Sequence, residues 1–154
     1  MIGTLKQRGQ KVALIDAGLL GDAASALAVA DLDRTVLTNA TLPTAQSFSI
    51  FCEPLAGSTE SSSLTNAATR IKTECEADFG IAIGPIDRDL AKVESGESLF
   101  EVAIVGPIVD SNSAGQVSAS TQEYVYRGHS SWRQKRAVKQ VLNQLRFFLN
   151  EQTS

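Results

Sequence analysis

Short, compact apolar runs alternate along this chain with stretches of helical periodicity, and that alternation limits the available folds more than any other feature. Lys11-Val-Ala-Leu-Ile-Asp16, Phe79-Gly-Ile-Ala-Ile83 and Leu99-Phe-Glu-Val-Ala-Ile-Val105 read as buried strands, because each is short, apolar and bounded by glycine or polar residues. Thr35-Val-Leu-Thr-Asn39 and Thr121–Tyr126 are further strand candidates. Phe48-Ser-Ile-Phe-Cys52 alternates apolar and polar residues, so it fits either a strand or a helical turn.

The helical segments carry a different period. Leu64, Ala67, Ala68, Ile71 and Cys75 recur at the spacing of one helix face, which predicts a helix over Thr59–Ala77. Val138, Val141, Leu142, Leu145, Phe148 and Leu149 give the C-terminal segment the same kind of stripe. Residues 1–9 read as the last turns of a helix closed by Gly9. Asp22 is a candidate cap for an alanine-rich helix running to about Ala30. Polar loops are expected over Gly84–Ser98 and over Asp110–Ser120, with Pro43 as a break. Strands and helices of these lengths in this order predict an α/β domain of three layers, α/β/α, with a mixed central sheet.

With 154 residues the chain has the size of one domain, expected to span 1–154, and is long enough to bury a core without metals or disulfides. No apolar run approaches the roughly 18 residues of a membrane span, and the opening Met1–Lys6 has no signal-peptide-like apolar region. Cys52 and Cys75 are expected to be free thiols, and a cytoplasmic, soluble protein follows as the expectation. The net charge of −3 is unevenly spread. Arg127, Arg133, Lys135, Arg136, Lys139 and Arg146 occur with no acid among them, which leaves eight basic against seventeen acidic residues elsewhere. Such a helix could offer an anionic-ligand or nucleic-acid surface, but a solvated face paired against the acidic body is the favoured reading.

No catalytic constellation stands out from the residues themselves. Gly18-Leu-Leu-Gly21 lies between a strand and a helix, where free N–H groups can hold an anion, yet it matches neither the dinucleotide fingerprint nor the P-loop. A tight strand-to-helix turn is the simpler reading. His129 is the single histidine, stands among Arg127, Arg133 and Lys135, and has no carboxylate close in sequence to orient it. Cys75 falls on an apolar helix face, and the acids are too scattered for a metal site. No metal and no cofactor is therefore expected.

The order of these pieces resembles the C-terminal domain of the CinA family of competence/damage-inducible proteins, which includes nicotinamide mononucleotide deamidases. Leu5-Lys-Gln-Arg-Gly9 followed by Lys11–Asp16 is similar to that family's opening helix and first strand. Ala77-Asp-Phe-Gly-Ile-Ala-Ile-Gly84 resembles its A-D-L-G-L-A-I-T-G strand, and Phe100-Glu-Val-Ala-Ile104 its V-Y-I-A-L strand. Tyr126-Arg-Gly-His129 and the basic, leucine-containing helix after it resemble the F-x-G-D/N-R element and final helix, with Gly128 as the firm match. The resemblance implies amide hydrolysis by the serine of an E-S-C-T-G-G motif, supported by a lysine, and it implies a homodimer.

This chain departs from that pattern at three places. Asp16-Ala17-Gly18-Leu19-Leu20-Gly21 stands where the motif belongs, so Asp16 keeps the acid, Gly21 the last glycine, and Ala17 replaces the serine. A methyl group has no lone pair with which to attack a carbonyl. Thr41–Phe48, where the family lysine falls, contains no lysine, and Gly84-Pro-Ile-Asp-Arg-Asp89 replaces a T-G-I-A-G-P-D-G-G loop. The expectation is a catalytically silent CinA-like domain with a remnant pocket for a nucleotide or other anionic small molecule, lined by Asp16, Ala17, Gly18, Gly21, Asn39, Gly84 and Asp87. The alternatives are an amidohydrolase using another nucleophile, such as Ser25 or Thr38, and a non-catalytic interaction domain using its basic helix. Nucleic acid and membrane are not expected partners.

Overall fold

The computed structural model describes residues 1–19, 21–31, 33, 35–41, 43–54, 63–86, 97–108, 117–127 and 130–151. In chain order the elements are α1 (Ile2–Gln7), β1 (Val12–Asp16), α2 (Asp22–Ala30), β2 (Leu37–Thr41) and α3 (Ala45–Phe51). They continue with α4 (Ser63–Glu74), β3 (Phe79–Ile83), β4 (Glu97–Ile108), β5 (Val117–Arg127) and α5 (Ser130–Glu151).

The five strands form one sheet in the order β2-β1-β3-β4-β5. β1 runs parallel to both β2 and β3, whereas β3, β4 and β5 are joined antiparallel. The sheet is therefore mixed, and the expected α/β/α layering is present. Alternation along each strand sends successive side chains to opposite faces. Val12, Leu14, Ile81, Ile83, Val102 and Ile104 join Leu5 of α1, Leu27 of α2 and Leu145 of α5 in one buried cluster. Ala13, Ile15, Ala82, Ala103 and Val105 face Phe48 of α3 and Leu64, Ala67, Ala68 and Ile71 of α4 in the other.

The second face is built largely from alanine, and that lets α4 lie close to the sheet. At Gly80 an added Cβ would run into the Ala68 carbonyl and stand 2.8 Å from the Lys72 Cβ. Glycine is thus required there by close approach rather than by a turn.

Several boundaries differ from the sequence reading, each for a local reason. Of the two readings open for Phe48–Cys52 the structure takes the helical one: the segment lies in α3 and the residue that closes it, and the Thr44 hydroxyl caps that helix by accepting from the Ser47 N–H at 3.2 Å. β2 begins later than Thr35, because Asp31 accepts the Val36 and Leu37 N–H groups, each at 2.8 Å, and holds the preceding turn. α4 stops at Glu74 rather than Ala77, since Glu76 adopts φ 48° and ends the helical run. Gly21 with φ 86°, not Asp22, is the N-cap of α2, and no side chain caps it. β5 begins at Val117, so the expected Asp110–Ser120 loop is strand over its last residues. The remainder of that loop, residues 59–62 of the long helix, Gly128 and His129 lie outside the described residues.

Candidate functional site

The C-terminal ends of β1 and β3 lie side by side, with Asp16 paired to Ile83. The chain leaves β1 for α2 on one face and reaches β3 from α4 on the other, so this is the reversal point where open α/β sheets place ligands. The structure brings Asp16, Ala17, Gly18, Gly21 and Gly84 together there. The Ala17 N–H donates to the Ile83 carbonyl at 2.9 Å, and the Gly84 N–H donates to the Glu101 carbonyl of β4 at 2.8 Å. A Cβ at Gly18 would collide with the Gly84 carbonyl, so the two loops touch backbone to backbone.

Asp16 organises this loop. The residue is 2% exposed. Oδ1 accepts the Gly18 N–H at 3.1 Å and the Leu19 N–H at 2.6 Å, while Oδ2 accepts the Gly21 N–H at 3.0 Å. Burial pushes the Asp16 carboxyl above the usual aspartate value, and the three N–H donors pull it back. The Asp22 N–H is taken as well, by the Leu19 carbonyl at 3.0 Å. The amides of Gly18, Leu19 and Gly21, through which an anion would be held, are thus already occupied by a carboxylate of the same chain.

Ala17 is half-buried and packs with Ala13, Ile15, Phe48 and the other apolar side chains of the α3/α4 face. Among the described residues, the side chains it packs against are apolar. Among the described residues, the lysines that could serve a hydrolytic site are placed elsewhere. Lys6 is paired with Asp33 at 2.6 Å, and Lys72 donates to the Gly106 carbonyl at 2.8 Å. Lys11 precedes β1, at the opposite end of that strand from Asp16.

Asn39 is not brought to this site. It pairs with Ala13 on β1, three residues before Asp16, and its Nδ2 donates to the Cys75 Sγ at 3.3 Å. With Ala28, Asp31, Leu37, Thr38 and Ala40 it lines a separate open groove of about 280 Å³ beside edge strand β2. Asp87 lies outside the described residues. Of the alternative nucleophiles, Thr38 donates its hydroxyl to the Val12 carbonyl at 3.1 Å, and Ser25 is exposed on α2. Neither has an acid–base partner among the described residues. Cys52 and Cys75 are free thiols, and burial raises the Cys52 thiol above its ordinary value. Among the described residues no three acidic, cysteine or histidine side chains converge on a common point.

Two features escaped the sequence reading. Asp31, fully buried, ties α1 to the start of β2: its Oδ2 takes two backbone N–H groups and its Oδ1 has the Lys6 ammonium at 3.4 Å, a charge contact rather than a hydrogen bond. The Lys6 contact also holds the exposed Asp33 carboxyl down to about 2. The second is the role of Asp16 as the acceptor of its own loop, for which an aspartate followed at two and five residues by glycine was the available signal.

No protein-family model matches the sequence, and no curated protein does. Solved structures do. A competence-damaged protein (CinA) superfamily protein from Klebsiella pneumoniae superposes with a TM-score of 0.68 at 19% identity, covering 94% of this chain and 89% of that one. The competence/damage inducible protein CihA from Agrobacterium tumefaciens gives 0.68 at 16% identity, covering 96% and 90%. A CinA superfamily protein from Escherichia coli gives 0.64 at 18% identity, covering 96% and 85%. The fold is that of CinA-superfamily structures over nearly the whole chain.

Proposed function

We propose that the chain is a single CinA-type domain over residues 1–154 that acts in the cytoplasm and does not hydrolyse nicotinamide nucleotides. The observation that carries this reading is Ala17, which occupies the serine position suggested by the resemblance and is packed among apolar side chains. A serine nucleophile needs both an oxygen and a base, and removing such a group costs orders of magnitude in rate. With its Gly18, Leu19 and Gly21 amides bonded to Asp16, the loop has few donors left for a phosphate. A nucleotide bound at this crevice would have to break those bonds or rely on other groups. The crevice therefore serves as a structural joint between β1, α2 and β3. No described helix is long and apolar enough to cross a membrane.

The test is ammonia release from nicotinamide mononucleotide with enzyme in excess, alongside calorimetric titration of the same nucleotide. No ammonia above background and no saturable binding tighter than about 1 mM, or about 4 kcal/mol, are expected. Ala17→Ser alone should not create turnover, since no described lysine stands at the loop to activate it. Steady turnover by the wild type, or by Ala17→Ser, would overturn the silent-domain reading.

A further inference from the structure

α5 is 22 residues long and gives one face to the core, where Ala137, Val141, Leu145, Phe148 and Leu149 are buried. The opposite face is a different surface. At about 3.6 residues per turn, Trp132, Lys135, Arg136, Lys139, Arg146 and Phe147 fall within about one third of the helix circumference, on the side away from Val141. All six are exposed, Trp132 by 67% and Phe147 by 58%. No acid stands among them, since the single carboxylate of α5 is Glu151 at its C-terminal end.

The sequence favours a basic face paired against the acidic body, and on that footing nucleic acid is not expected. Among the described residues no such pairing forms. The ion pairs are those of Lys6 with Asp31 and Asp33, and Lys135, Arg136, Lys139 and Arg146 have none. Four cations thus stand along about 17 Å of helix with no counter-charge of their own. Outside Arg127–Arg146 the chain holds eight basic and seventeen acidic residues. A polyanion is therefore attracted to this strip and repelled by the remainder, which confines its contact to α5.

The two aromatic side chains decide which polyanion fits. Trp132 and Phe147 stand about 22 Å apart along the helix, one at either end of the cations. The Arg146 guanidinium lies 5.2 Å over the Phe147 ring, which sets a cation beside a stacking surface. A duplex keeps its bases stacked inside and offers such rings only backbone and groove edges. A membrane surface needs an apolar helix face to bury, and that of α5 is already used by the core. A single strand offers both phosphates and free base faces. We propose that the outer face of α5 binds single-stranded nucleic acid, with phosphates along Lys135, Arg136, Lys139 and Arg146 and bases stacked on Trp132 and Phe147. Contacts to phosphates and ring faces read no sequence, so the preference is for strandedness rather than for particular bases.

Trp132 is the single tryptophan, so its fluorescence reports on this face alone. Titration of the full chain with a fifteen-nucleotide oligothymidylate tests the proposal. Saturable quenching is expected, with a Kd of about 10 µM in about 50 mM salt, weakening about fiftyfold by about 200 mM as four phosphate contacts give a logarithmic slope of about −3. Lys139→Glu should weaken binding at least about tenfold and bring the slope to about −2. Trp132→Ala, followed by the anisotropy of a labelled strand, should weaken it at least about fivefold with the slope unchanged. A duplex of the same length should bind more weakly than the single strand. The proposal is overturned by an absence of quenching in about 50 mM salt, by equal affinity for duplex and single strand, or by binding indifferent to Lys139→Glu or to Trp132→Ala. A fluorescence response to phosphatidylglycerol vesicles without one to the oligonucleotide overturns it too, since it would make this face a membrane contact.

Discussion

Asp16→Ala is expected to destabilise the fold by on the order of 3–5 kcal/mol, because hydrogen bonds to a charged group are worth about 1.5–3 kcal/mol each and removing the acceptor orphans buried donors. Three N–H groups lose their partner at once, those of Gly18, Leu19 and Gly21. Relief of the buried charge returns part of that loss, which is why the expected value is below a simple total. Asp16→Asn should cost less, about 2 kcal/mol, since its oxygen still serves Gly18 and Leu19 while its NH₂ turns a second donor toward Gly21. The pH dependence separates the two contributions. An aspartate with a folded value above its unfolded 3.8 binds more protons when folded in the window between them, so its titration lowers stability as pH rises through that window. Asp16→Asn should remove that decline. Urea melts of wild type and variant from pH 3 upward measure it, and a difference that does not change with pH would mean that Asp16 is not titrating as a buried acid.

Leu145→Ala is expected to cost on the order of 2–5 kcal/mol, the range for deleting a buried leucine side chain and leaving a cavity. Leu145 is fully buried, in the cluster formed by α1, α2, α5 and one face of the sheet. The structure offers little room for collapse there, because Val141, Phe148 and Leu149 of the same helix are themselves in the core. Lys139→Ala on the exposed side should change stability by no more than about 0.5 kcal/mol. Comparable losses in the two variants would show that the helix presents a different face to the sheet.

The parts of the fold legible in the sequence are those where burial alone sets the pattern. β1 and β3 are short and fully buried, apolar but for the Asp16 that ends β1, and the stripes of α4 and α5 follow their periodicity. Reading failed where a single polar side chain decided the outcome. The alternation at Phe48–Cys52 fits a strand or a helical turn and could not choose between them, whereas Thr44 supplies a cap four residues earlier and the segment becomes a helix packed by Phe48. The start of β2 is set by Asp31, whose partners lie five and six residues away and cannot be guessed from local composition.

The same limit governs the candidate site. Asp16, Ala17, Gly18, Gly21 and Gly84 were legible as neighbours because the ends of two parallel strands bring them together. Asn39 was not separable from them, since its distance from Asp16 depends on the β1–β2 register. Nor could the sequence say whether the Gly18–Gly21 amides were free. The basic helix is a further case: Lys135, Arg136, Lys139 and Arg146 are exposed, and among the described residues none forms an ion pair with the acidic body.

Residue-resolved amide hydrogen exchange tests directly whether the loop after β1 is closed by Asp16 rather than open to a ligand. The Leu19 and Gly21 N–H groups, bonded to Asp16 at 2.6 and 3.0 Å, should exchange slowly in the wild type. In Asp16→Asn, Gly21 should lose its protection ahead of Leu19, because only its acceptor is replaced by a donor. Exchange of both wild-type amides at the rate of an unstructured peptide would contradict the account, since it would mean that these donors are available to an anion after all.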